Sequence, residues 1–191
     1  NLPDTVNGDS RTLVVADGSG SMTTTIGNSS VRALDVANAL AIYFAERAQG
    51  PYKDKYITFS SRPQFVDFTN CTSLRDKIKV ALQHSEVSNT NIEKVFDLVL
   101  RTAQRSNCSQ EDIPNILIVS DMEFDRCSST DVYAFKSIES KFKQAGYSLP
   151  KLTFWNLNSR SNAIPLIDNG MGVALVSGYS PANINAVMSV K

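Results

Sequence analysis

Residues Asp17-Gly18-Ser19-Gly20-Ser21 put a carboxylate and two hydroxyls at alternate positions, separated by glycines. Glycine lets the backbone turn tightly, so the three oxygens can converge on one point. Such donors suit a hard cation. Mg²⁺ takes six oxygens in octahedral geometry and keeps several of them as water. Hydroxyls are neutral ligands, and a site built largely from them leaves the ion electron-poor. The ion then seeks an anion from outside, so a partner's Glu or Asp would complete the shell.

Two later positions are candidates for the same point. Thr90 lies in Ser88-Asn89-Thr90-Asn91, just before a helical pattern, and Asp121 ends the apolar run Asn115 to Ser120. Thr12 to Ala16, which precedes Asp17, is a second run of that kind. Continuous apolar runs suit strands buried on both faces. Parallel neighbours would bring Asp17, Thr90 and Asp121 to one edge of a sheet.

The remaining pattern supplies that sheet. Leu34, Ala37, Leu40, Phe44 and Ala48 recur at helical steps, and Gly50-Pro51 ends the helix. Lys55 to Phe59 and Gln64 to Phe68 read as strands of a hairpin around Ser60 to Pro63. Ser73 with Asp76 suggests a capping box for a helix through Leu82. Ile92, Val95, Phe96, Val99 and Ala103 mark another helix. Phe135, Ile138, Phe142 and Ala145 mark a further one, closed by Gly146. Leu152 to Leu157 and Val173 to Val176 read as strands, and Ile184, Val187 and Met188 as a last helix. Strands alternating with helices predict an α/β fold. The expectation is a Rossmann-like three-layer sandwich: a mostly parallel central sheet with one antiparallel edge strand and helices on both faces. Residues 1–11 read as a linker or arm, and 12–191 as the domain. In such folds ligands bind at the carboxyl ends of the strands.

Composition limits the function classes. Lys plus Arg equals Asp plus Glu, at 19 each, so no general attraction to nucleic acid or acidic membrane follows. Cys71, Cys108 and Cys127 form neither a disulfide framework nor a zinc motif, and free thiols point to a reducing, cytoplasmic compartment. No apolar stretch is long enough to span a membrane, and there is no signal-peptide pattern after Asn1. A piece of a longer protein is expected. A nucleophile elbow, a phosphate-binding P-loop and a dinucleotide fingerprint are all missing from the sequence.

Each sharp reading has a plainer one beside it. Asp and Ser favour turns and helix caps, and Thr90 fits an N-cap. Glu123 and Asp125 fit loop caps or a solvated rim, His84 a surface position at a helix end, and Phe154 and Trp155 the core.

Asp17-x-Ser19-x-Ser21 with the later Thr90 and Asp121 resembles the metal-ion-dependent adhesion site of von Willebrand factor A domains. The resemblance implies Ser19, Ser21 and Thr90 as direct ligands, with Asp17 and Asp121 binding directly or through water. Several blocks look like a family of unknown function: Ser120 to Asp125, Ala145-Gly146-Tyr147 with Pro150, Phe154 to Leu157, and Val176-Ser177-Gly178. Members of that family join a C-terminal A-like domain to a helical region, as the TROVE/Ro ribonucleoproteins do. The resemblance implies a non-catalytic module that binds Mg²⁺, with Mn²⁺ or Ca²⁺ as alternatives. Its partner would be a protein offering an acidic side chain, with RNA reached only through regions outside this chain and no membrane. The alternatives are an RNA-associated domain of a Ro-like ribonucleoprotein and a metal-dependent phosphoryl-transfer enzyme. One departure stands out: where many A domains have Asp-Gly, this chain has Asp121-Met122-Glu123.

Overall fold

The computed structural model describes residues 11–84, 91–121, 129–157, 167–168 and 173–178. The arm before Arg11 and the expected last helix lie outside these. The elements, in chain order, are β1 (Thr12–Asp17), α1 (Ala33–Arg47), β2 (Lys55–Phe59), β3 (Phe65–Asp67), α2 (Leu74–Gln83), α3 (Ile92–Arg105), β4 (Asn115–Ser120), α4 (Ser129–Gln144), β5 (Leu152–Asn156), β6 (Ile167–Asp168) and β7 (Val173–Ser177).

The strands form one sheet in the order β3-β2-β1-β4-β5-β7-β6. β2, β1, β4, β5 and β7 run parallel, and β3 is the expected antiparallel edge strand of the hairpin. The two-residue β6 adds a short antiparallel pairing at the opposite edge. It is too short to leave a periodic signal in the sequence.

Alternation along the central strands builds two cores. Val14, Ala16, Leu117, Val119, Trp155 and Leu157 pack with Leu34, Leu40 and Phe44 of α1. Leu13, Val15, Ile116, Ile118, Leu152 and Phe154 pack on the other face with α3 and α4, through Val95, Phe96, Val99, Ile138 and Phe142. Strands covered on both faces can be apolar throughout, which explains TLVVA and NILIVS. Phe154 and Trp155 are core residues, on opposite faces.

Capping residues set the helix bounds. The Ser73 hydroxyl accepts from the Asp76 N–H at 3.2 Å and starts α2. The Asp76 carboxylate accepts from the Ser73 hydroxyl at 2.6 Å, so that side of the expected box closes on the side chain. His84 caps the far end, its Nδ1 2.8 Å from the Val80 carbonyl. Beyond α4, the Tyr147 N–H reaches the Phe142 carbonyl at 2.9 Å and the Gly146 N–H reaches Lys143 at 3.0 Å. This is a Schellman closure, and Gly146 has the positive φ of 83° it requires.

α3 and α4 are also tied electrostatically. Lys141 Nζ donates to Glu93 at 2.8 Å and to Asp97 at 2.9 Å. The Lys141 hydrogen bond holds the Glu93 carboxyl below its ordinary range, against a smaller desolvation effect. Both partners are roughly two-fifths exposed (38% and 41%), so screening keeps the pair under about 1 kcal/mol.

Two outcomes follow. Gly146→Ala costs about 1 kcal/mol in a urea melt, because no neighbour crowds the added Cβ and only the left-handed backbone opposes it. Lys141→Met is less stable than wild type at neutral pH. A depressed carboxyl pKa stabilises above its unfolded value, so this deficit shrinks as pH falls through and below the ordinary Glu value of 4.5. Urea melts at a series of pH values check the sign.

Candidate metal centre

β1 ends on Asp17 and β4 on Ser120, each just beyond the registered pair Ala16–Val119. The parallel pairing therefore delivers Asp17, Ser120 and Asp121 to one sheet edge. Asp17 is 1% exposed and Ser120 5%. A buried carboxylate needs donors to compensate for lost water, and Asp17 has one on each oxygen. The Ser19 backbone N–H donates to Oδ1 at 2.8 Å. The Ser120 hydroxyl donates to Oδ2 at 2.6 Å.

The loop after Asp17 does not pass straight into a long helix. A 3-10 turn spans Gly20–Thr23, and α1 begins only at Ala33. The Thr23 and Thr24 hydroxyls donate back to the carbonyls of Gly20 and Ser21, at 2.7 and 2.8 Å. Such local bonds compete with helix propagation. The buried side chain of Met22, 0% exposed, anchors the turn in the core.

Ser19 occupies the N-cap position of the turn, but its side chain makes no capping bond. Instead Ser19 Oγ lies 2.9 Å from Ser21 Oγ, and the Ser21 hydroxyl donates to Asp121 Oδ1 at 3.0 Å. A hydroxyl has one proton. Ser21 gives its proton to Asp121, so Ser19 is the donor between the serines. The relay runs from Ser19 to Ser21 to Asp121 and leaves lone pairs on both hydroxyl oxygens. The turn-and-cap reading thus accounts for the Asp17–Ser19 N–H contact but not for the hydroxyls.

Four of the five residues singled out in the sequence come together here: Asp17, Ser19, Ser21 and Asp121. Thr90 lies outside the described residues, as do Glu123 and Asp125. The capping of α3 falls to Asn91, whose Oδ1 accepts from the Lys94 N–H at 3.0 Å. Lys94 Nζ donates to the Ser61 carbonyl at 2.9 Å, fixing the start of α3 against the end of β2. Ser120 is the residue that sequence reasoning missed. Its signal was a hydroxyl at the end of an otherwise apolar strand, next to the strand that carries Asp17.

The donor set fits a hard cation: all oxygen, two carboxylates and two hydroxyls with lone pairs to spare. Among the described residues, no group of three or more His, Cys, Asp or Glu stands close enough to hold a metal. Thiolate or imidazole coordination has no counterpart there.

The family description "Domain of unknown function (DUF7788)" matches residues 11–191. The chain belongs to the DUF7788 family. A relative within reach of sequence comparison is the uncharacterized protein L728 of Acanthamoeba polyphaga mimivirus, 34% identical over 161 residues. That match covers 83% of this chain but 28% of the viral protein. Among solved structures, the Deinococcus radiodurans Ro (RSR) protein is similar with a TM-score of 0.62 at 18% identity, over 96% of this chain and 34% of that one. The VWA domain of SpRpn10 is similar with a TM-score of 0.51 at 12% identity, over 94% and 95% of the two chains. The DUF7788 domain therefore has a von Willebrand factor A-like fold. It spans about a third or less of both the viral relative and the Ro protein.

Stability in EDTA separates the inner and outer parts of the DUF7788 site. Asp17→Ala removes the carboxylate that accepts from the buried Ser120 hydroxyl and the Ser19 N–H, and costs about 2 kcal/mol. Ser21→Ala, at an exposed position, stays within about 0.5 kcal/mol of wild type. Equal losses for the two in chemical denaturation would contradict this geometry.

Proposed function

We propose that the domain is a non-catalytic protein-interaction module that binds one divalent ion through Asp17, Ser19, Ser21, Thr90 and Asp121. Mg²⁺ is the expected ion, with Mn²⁺ or Ca²⁺ as substitutes. The carrying observation is the relay from Ser19 through Ser21 to Asp121 beside the buried Asp17. It gathers hard donors with few formal charges at the carboxyl end of a parallel sheet, where α/β folds bind ligands. An ion held there keeps affinity for one more anion, which an acidic side chain of a protein partner supplies.

In this reading residues 12–191 form the module, residues 1–11 an arm, and the whole a C-terminal part of a larger protein. The share of the viral relative covered supports a larger whole. We place it in the cytoplasm, consistent with Cys71 and Cys108 as free thiols. No helix among the described residues is long and apolar enough to cross a membrane. Two-metal phosphoryl transfer requires carboxylates bridging ions about 4 Å apart, and Asp17 and Asp121 alone are a thin set for that. Any RNA contact belongs to regions beyond this chain.

Thermal melts of the EDTA-stripped protein test the reading. Adding Mg²⁺ or Mn²⁺ raises the melting temperature, by the equivalent of about 2.7 kcal/mol at a hundredfold excess over Kd. Asp17→Ala and Ser19→Ala abolish the rise. A wild-type melting temperature indifferent to divalent ions would sink the proposal.

A further inference from the structure

We propose that Ser120 is a positioning residue of the metal centre, whose hydroxyl holds the Asp17 carboxylate in the one orientation from which it serves the ion. The inference rests on reading the site as a cation centre, and it adds a residue outside the five above. The two anchors on Asp17 differ in kind. The Ser19 N–H belongs to the same loop as Asp17 and moves with it. The Ser120 hydroxyl comes from the neighbouring strand and ties Oδ2 to the sheet at 2.6 Å, in a buried setting.

Ser120 is itself fixed from its other side. Its carbonyl accepts from the Leu157 N–H at 2.9 Å, and it stands in register with Asn156 of β5. The orientation of Asp17 is thereby referred to the centre of the sheet and not to its own glycine-containing loop. With both oxygens restrained, the carboxylate is held in one orientation. Without the Ser120 hydroxyl, the loop is the remaining restraint on Asp17 among the described residues, and its side chain can turn about the Cα–Cβ bond. Ion binding must then order it.

Three variants and two readouts decide the matter. Mn²⁺ affinity is measured by titration calorimetry, and hydrogen exchange of the Ser19 amide by NMR in EDTA. Ser120→Ala is expected to weaken Mn²⁺ binding at least tenfold and to speed Ser19 amide exchange. Ser120→Thr keeps the hydroxyl and restores both. Val119→Ala, on the same strand but buried against α1, lowers the melting temperature and leaves Mn²⁺ affinity unchanged, so lost packing alone is recognised. Wild-type affinity in Ser120→Ala would overturn the proposal, as would unchanged Ser19 exchange. If wild type binds no Mn²⁺, the cation reading fails, and the exchange measurement still decides whether Ser120 anchors Asp17: faster exchange supports it and unchanged exchange overturns it.

Discussion

The parallel pairing of β1 with β4 is the constraint on which everything at the sheet edge depends. Its register runs from Thr12 opposite Asn115 to Ala16 opposite Val119, and it places two strand ends side by side although more than a hundred residues separate them in sequence. Packing on both faces enforces that register. Successive residues of β1 enter opposite cores, Val14 and Ala16 in one and Leu13 and Val15 in the other. A slip by one residue would exchange the two sets and reverse every side chain. It would also turn Asp17 away from Ser120. The geometry of the site is thus specified largely by apolar packing beneath it.

The same constraint explains how a carboxylate persists where water is excluded. Asp17 is nearly inaccessible, and an uncompensated charge there would be costly. Donors on both of its oxygens offset part of that cost. Neither donor carries a formal charge, and among the described residues no Lys or Arg is paired with Asp17 or Asp121. Lys141 shows the contrast: it sits between Glu93 and Asp97 and satisfies them on the spot. Some acidic groups elsewhere in the molecule are paired with Lys or Arg, as Asp35 is with Arg32 and Glu46 with Lys77. The carboxylates at the sheet edge are paired with hydroxyls and an amide, as Asp112 is with Ser109.

The frame was legible in the sequence because it rests on local patterns with a clear physical cause. TLVVA and NILIVS are apolar throughout because helices cover both faces of the sheet, and Ser73 and Gly146 mark helix ends through their own backbone chemistry. The loop from Ser19 to Ser21 stood out because two hydroxyls and a carboxylate alternate with glycines directly after a buried strand. The parts that escaped depend on tertiary placement. Ser120 resembles an ordinary strand end until β1 is laid beside it. The turn at Gly20–Thr23 depends on hydroxyl-to-carbonyl bonds and on Met22 finding the core, neither of which has a periodic signature. β6, with two residues, has no period at all.

Burial changes steeply across the site, and that gradient bears on what the site can do. Asp17 and Ser120 are buried, Ser19 and Asp121 are half-buried, and Ser21 is exposed. An ion held only by buried groups would be enclosed and of use to structure alone. One held only by exposed groups would lose its orientation to solvent and side-chain motion. Here the inner donors are fixed by the sheet, and the outer hydroxyl and carboxylate face outward, joined by a single hydrogen bond at 3.0 Å. On the proposed reading, an ion seated there would be fixed on one side and open to an incoming anion on the other.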